Sequence, residues 1–164
     1  MTLVVPFDDS ALARAALVRA RQFDTALEEG VVAVTVVPGG NAEYARQRGW
    51  IDATEPFDLD RIVERLEESV AELAPESGFE CIVTDRRARH GTIAKKLRRF
   101  ARDAEATIIF IGSENAGRLT SSISVGSSVT TDRHYDTMII STPKLPEIPA
   151  FEEVVPSEET LEGE

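Results

Sequence analysis

Short apolar runs alternate with longer amphipathic stretches along this chain, and that alternation restricts its fold more than any other property of the sequence. Leu3-Val4-Val5-Pro6-Phe7 opens the series and stops at Asp8-Asp9-Ser10. Leu12, Ala16, Ala20 and Phe23 then recur at helical spacing, and Ser10 is placed to cap that helix by accepting from a backbone amide two or three residues on. Gly30 closes the helix. Val31 to Val37 is β-branched and almost uniformly apolar, as expected of a strand covered on both faces, and Pro38-Gly39-Gly40 stops it. The stretch from Asn41 to Pro56, which holds Tyr44 and Trp50, reads only as a helix fragment and a loop. Asp58 is a cap for a helix whose stripe is Ile62, Leu66, Val70 and Leu73, with Gly78 closing it. Phe79 to Thr84 is the third strand. Thr92 opens a helix with Ile93, Leu97, Ala101 and Ala104 on its apolar face, and Ala106 to Ile111 is the fourth strand. A short helix is expected from Val129 to His134, followed by a fifth strand from Met138 to Ser141.

Strands that alternate with helices call for parallel pairing, because a crossover helix returns the chain to the same end of the sheet. The expected fold is one α/β domain, a doubly wound five-stranded parallel sheet, occupying residues 1–142. From Pro143 onward the chain carries four prolines, seven glutamates and one lysine, which predicts a solvated acidic tail over residues 143–164. The longest apolar runs fall far short of the ~20 residues that cross a bilayer, so no membrane insertion is expected. No basic leader precedes Leu3, and the expected location is cytoplasmic. Cys81 has no cysteine to pair with and lies in a strand-like run, where a buried structural thiol is expected.

The formal charge is −11, and of 18 basic residues only Lys95, Lys96 and Lys144 are lysines. That balance points to a high-salt cytoplasm, where screening lets a surface carry many carboxylates; it describes habitat rather than function. Arg86, Arg87, Arg89, Lys95, Lys96, Arg98, Arg99 and Arg102 concentrate basic charge. Most lie on the polar face of one amphipathic helix without stacking aromatics, and the global charge repels a polyanion, so a solvated face is expected rather than a nucleic-acid site. Docking of the acidic tail, or of an acidic partner, is the other reading of that face.

Ligands of open parallel sheets bind beyond the carboxyl ends of the strands, near the point where strand order reverses. The relevant loops are Pro6 to Ser10, Val36 to Gly40, and Gly112-Ser113-Glu114-Asn115-Ala116-Gly117 continuing to Gly126-Ser127-Ser128. The last combines glycines, hydroxyls at 120, 121, 122, 124, 127 and 128, and a helix start, a combination that suits phosphate but equally describes a plain connection. His90 and His134 lack companions at metal-ligand spacing. Neither a Gly-x-Ser-x-Gly elbow nor a complete Walker loop occurs, and Asp8 and Asp9, adjacent at a strand end, are expected to point apart rather than act as an acid/base pair.

Leu3-Val4-Val5-Pro6-Phe7-Asp8-Asp9-Ser10 resembles the opening strand and Asp-containing turn of universal stress proteins, and Ile108 to Ser113 with Gly126-Ser127 resembles their second signature, Gly-x2-Gly-x9-Gly-Ser or Thr. The similarity runs from about Leu3 to Thr142. It implies a Rossmann-like fold of the adenine nucleotide alpha hydrolase-like kind, with ATP or AMP, carried with magnesium, as ligand. On that resemblance Asp8 contacts adenine beside Pro6 and Phe7, Val36 packs on the base, and Gly112, Ser113, Gly126, Ser127 and Ser128 hold ribose and phosphates. The chain departs from the pattern in having Asn115 at the second glycine and one extra residue before Gly126; Asn tolerates left-handed geometry, and Gly117 offers an alternative close approach. The resemblance further implies a homodimer formed through the strand from Met138 to Ser141. The expected function is a stress-response or regulatory module that binds an adenine nucleotide and signals through assembly or contacts with a protein partner, with at most slow hydrolysis. The alternative is a dimerising interaction domain of the same fold that no longer binds nucleotide.

Overall fold

The computed structural model describes residues 1–113 and 134–145. Five strands form a single parallel sheet: β1 (Thr2–Pro6), β2 (Gly30–Pro38), β3 (Gly78–Thr84), β4 (Ala106–Gly112) and β5 (Asp136–Ile140), in the order β3-β2-β1-β4-β5. Between them lie α1 (Ala11–Leu27), α2 (Ala42–Gln47), α3 (Leu59–Leu73) and α4 (His90–Asp103). The chain therefore builds outward from β1 to β3, then returns to the other side of β1 to add β4 and β5. This is the doubly wound five-stranded α/β sheet expected from the alternation of apolar runs.

The strand period of two sorts the apolar residues into two cores, one on each face of the sheet. Leu3, Val5 and Phe7 of the first strand and its end join Ala33 and Val37 of β2 and Phe110 of β4 against Ala16, Leu17 and Ala20 of α1 and Ile62, Leu66 and Val70 of α3. Val4, Val34, Val36, Ile109 and Ile111 face the other way, onto Ile93, Ala94, Leu97 and Ala101 of α4. Since β1, β2 and β4 are covered on both faces, nearly continuous runs of apolar residues are what their positions require. The edge strands are half-clad: Val83 on β3 and Ile139 on β5 stay about half exposed. Cys81, on the β3 edge, is half-buried rather than fully so, and burial still pushes its thiol above the ordinary range.

Helix ends follow local chemistry where a side chain can cap. The Ser10 hydroxyl accepts from the Ala13 amide at 3.3 Å, and the Asp58 carboxylate from the Arg61 amide at 3.3 Å. Several boundaries differ from the sequence reading. The first long helix stops at Leu27, where Glu28 turns left-handed (φ 54°), and Gly30 already belongs to β2. Likewise α3 ends at Leu73 and Gly78 begins β3. The fourth helix starts at His90, not Thr92: the Thr92 amide donates to the Arg89 carbonyl at 3.0 Å, so it already lies in the first turn. β5 begins at Asp136, which pairs with Ile108, and ends at Ile140. The expected helix from Val129 falls outside the described residues except for His134, as does most of the acidic tail.

Gly112 ends β4 where α1 crosses it. A Cβ placed there would sit 2.7 Å from Leu12 Cβ, closer than any side chain tolerates. The absent side chain thus sets the distance between sheet and helix. Gly112→Ala is expected to destabilise the fold by about 1–3 kcal/mol through overpacking against a helix that cannot yield locally. Gly30→Ala, where nothing lies within 4 Å, should stay within about 0.5 kcal/mol of the parent in the same urea titrations.

Candidate functional site

The chain reverses its direction of growth between β1 and β4, and a small cavity of about 50 Å³ opens beyond the carboxyl ends of the strands there. Pro6, Phe7 and Asp8 supply its β1 wall, Val34, Thr35 and Val36 its β2 wall, and Ile111 comes from β4. Ile93 and Leu97 of α4 close one side, while Tyr44, Arg48 and Trp50, from α2 and the turn after it, close another.

The turn after β1 aims its carboxylates in different directions. Asp9 adopts a left-handed conformation (φ 62°), which Asp tolerates better than most residues. Its carboxylate is held by Arg14 at 2.8 Å and by the Ser69 hydroxyl at 3.2 Å, so it is tied to α1 and α3. Asp8 instead lines the cavity. Its Oδ1 accepts from the Ser10 amide at 3.0 Å, and its Oδ2 pairs with an Arg48 guanidinium nitrogen at 2.8 Å. The pair is largely shielded, with side-chain exposures of 19% for Asp8 and 27% for Arg48. The Asp8 carbonyl accepts from the Trp50 indole at 2.9 Å, and the Thr35 hydroxyl donates to the Phe7 carbonyl at 2.5 Å, so the strand end is anchored from two sides.

An aromatic and cationic cluster lines one side of the cavity. The Arg48 guanidinium lies 5.0 Å from the centre of the Tyr44 ring, and the Tyr44 and Trp50 rings are 5.7 Å apart and inclined at 60°. The loop behind them is braced by charge. Arg65 grips both oxygens of Glu55, at 3.0 and 2.8 Å, and also donates to the Trp50 carbonyl at 2.8 Å. Those Arg65 bonds, with the Asp52 amide next, hold the Glu55 carboxyl below the usual carboxylate range. Burial pushes the Tyr44 phenol above its ordinary value; Arg48 pulls against that shift and the Asp8 charge adds to it.

Four residues expected at the site, Pro6, Phe7, Asp8 and Val36, come together here. Gly112 is not part of the cavity lining, and the side on which a Cβ would stand is filled by Leu12. Ser113 follows at the end of β4 and is half-buried, outside the cavity lining. Asn115, Gly117, Gly126, Ser127 and Ser128 lie outside the described residues. Tyr44, Arg48 and Trp50 were not anticipated. Their only sequence signal is the sole tryptophan close to one of two tyrosines in an irregular segment, since nothing in the sequence ties Arg48 to a carboxylate forty residues earlier. Among the described residues no group of three or more His, Cys, Asp or Glu side chains is arranged to hold a metal ion, and no helix is long and apolar enough to cross a membrane.

The family model of universal stress proteins matches residues 1–132. The chain belongs to the universal stress protein family. Among curated proteins none matches. Solved structures of universal stress proteins share the fold at low identity. One, in complex with cAMP, is 20% identical, with 87% of this chain and 97% of that one covered and a TM-score of 0.57. A universal stress protein from Archaeoglobus fulgidus in complex with dAMP is 16% identical, with coverages of 85% and 96% and a TM-score of 0.55. Universal stress protein UspA from Lactobacillus plantarum is 18% identical, with coverages of 85% and 97% and a TM-score of 0.52.

The raised Tyr44 phenol has a measurable consequence. In an absorbance titration, Tyr44 should ionise above pH 10.0, and Tyr44→Phe should remove that late step. The unfolded chain releases this proton sooner than the folded one, so the contribution to stability is complete below pH 10.0 and declines as pH rises through the folded value.

Proposed function

We propose that this universal stress protein binds an adenine nucleotide, ATP or AMP, at the cavity between the ends of β1, β2 and β4, and that it acts as a stress-response or regulatory module. The observation that carries the reading is the Asp8 carboxylate, paired with Arg48, in a largely apolar cleft at the topological switch point. One Asp8 oxygen is engaged by the Ser10 amide, and Oδ2, which pairs with Arg48, is the oxygen an incoming donor would take over. A single exocyclic amine, as on adenine, suits one acceptor better than the paired N–H edge of guanine does. Val36 and Ile111 offer apolar surface to a planar base, and the family membership together with the cAMP and dAMP complexes of structural neighbours favours this ligand class.

Ribose and phosphates would then extend toward the Gly- and Ser-containing segment after β4, with Gly126, Ser127 and Ser128 as the proposed phosphate contacts, and magnesium would enter on the nucleotide's own phosphates. Signalling is proposed to run through assembly, as a homodimer using the β5 edge, or through contacts with a protein partner in the cytoplasm, with residues 143–164 as an appended acidic tail. Efficient turnover is not part of the proposal.

A second reading, an interaction domain without nucleotide, is favoured by one specific observation. The cavity holds about 50 Å³, far below the ~300 Å³ at which ligand pockets usually begin, and Arg48 already occupies Asp8. Calorimetric titration of ATP and of AMP, in molar salt with magnesium, separates the two readings. Saturable binding that weakens about tenfold or more in Asp8→Ala, a loss of one charge-assisted hydrogen bond, supports the nucleotide site. Absence of both heat and co-purified nucleotide in folded protein supports the interaction domain.

A further inference from the structure

The Asp8–Arg48 pair lies in the lining of the cavity and is made by a side chain rather than by a movable helix. The backbone on either side of Arg48 is pinned. At one end of α2 the Asn41 carboxamide accepts from the Tyr44 amide at 3.0 Å and donates to the Arg86 carbonyl at 2.8 Å. At the other, the Trp50 amide donates to the Ala45 carbonyl at 2.9 Å, and the Trp50 carbonyl is held by Arg65. Of the three residues this segment gives to the cavity lining, Tyr44, Arg48 and Trp50, only Arg48 has a long flexible stem with access to water, about a quarter of its side chain being exposed. Tyr44 steadies the guanidinium from its ring face.

We propose that Arg48 is the affinity-setting residue of this site, an internal competitor that occupies the Asp8 oxygen a nucleobase amine would use and must swing outward before a ligand can enter. The inference rests on the adenine-nucleotide reading and deepens it. A guanidinium and a base amine both donate to Oδ2, and the guanidinium brings full positive charge to a shielded carboxylate, so the self-paired state is the stronger competitor. Ligand affinity is then reduced by the fraction of molecules in which Arg48 stays on Asp8. The closed cavity and the nucleotide reading cease to conflict, because the narrow volume is that of the self-occupied state.

The test titrates AMP into wild-type protein, Arg48→Met and Arg48→Lys, and measures acrylamide quenching of the chain's single tryptophan without ligand. Met keeps the apolar stem and removes the charge. Arg48→Met should bind AMP about tenfold more tightly, as expected if the open form is about a tenth of the wild-type population. Trp50, buried in the wild type, should become more readily quenched in Arg48→Met, with Arg48→Lys between the two proteins in both measurements. If wild type binds AMP and Arg48→Met binds it equally or more weakly, Arg48 is a contact for the ligand, the competitor proposal is overturned and the nucleotide reading stands. If none of the proteins binds AMP or ATP, the nucleotide reading fails instead; unchanged quenching would then overturn closure by Arg48 as well, and increased quenching would uphold it. Should Arg48→Met fail to fold, an Arg48→Lys affinity equal to wild type overturns the proposal.

Discussion

Asp8 is the point on which the functional end of this molecule depends. Its carboxylate receives the Ser10 amide, which shapes the turn out of β1, and the Arg48 guanidinium, which brings in α2; its carbonyl receives the Trp50 indole. One residue therefore joins the end of the central strand, the start of α1 and the segment between β2 and α3. The left-handed Asp9 beside it makes this possible by turning the second carboxylate away, toward α1 and α3, so that the two acids serve different neighbours. Without that divergence, two like charges would share one shielded cleft and repel each other there.

Around this hub the structure uses charge to position aromatic rings. Glu55 and Arg65 do not touch the cavity, yet through the Trp50 carbonyl they hold the indole where it can donate to Asp8 and lean on Tyr44. The bidentate geometry matters here because a forked pair fixes direction as well as distance. In a chain with net charge −11, placing arginines opposite particular carboxylates in the shielded site is a use of positive charge distinct from the exposed basic face of α4, which carries Lys95, Lys96 and Arg99.

Much of the architecture was legible in advance because it depends on periodicity alone. Residues alternating along β1 and β2 go to opposite cores, and the stripes Ile62, Leu66, Val70 and Ile93, Leu97, Ala101 meet them. Asp58 and Ser10 cap as their chemistry directs. The differences lie at boundaries set by backbone hydrogen bonds instead of side chains, as at Glu28, which turns left-handed before the glycine expected to close the helix, and at His90, whose helix starts with no side-chain cap. At Gly112 the sequence offers only a resemblance to a ligand-loop signature, and the close approach to Leu12 is a contact that sequence proximity cannot reveal.

What the sequence by itself determined was the doubly wound sheet, the carboxylate at the end of the first strand and the apolar walls beside it, since each follows from residue type and spacing along a local element. Only the tertiary structure decided what that carboxylate meets. Asp8 and Arg48 are forty positions apart, and their contact arises from the path of the β2–α3 connection across the sheet end, which the Asn41, Trp50 and Arg65 hydrogen bonds impose. Periodicity carries no information about such a pairing, because it depends on where irregular backbone is pinned and not on how often an apolar residue recurs.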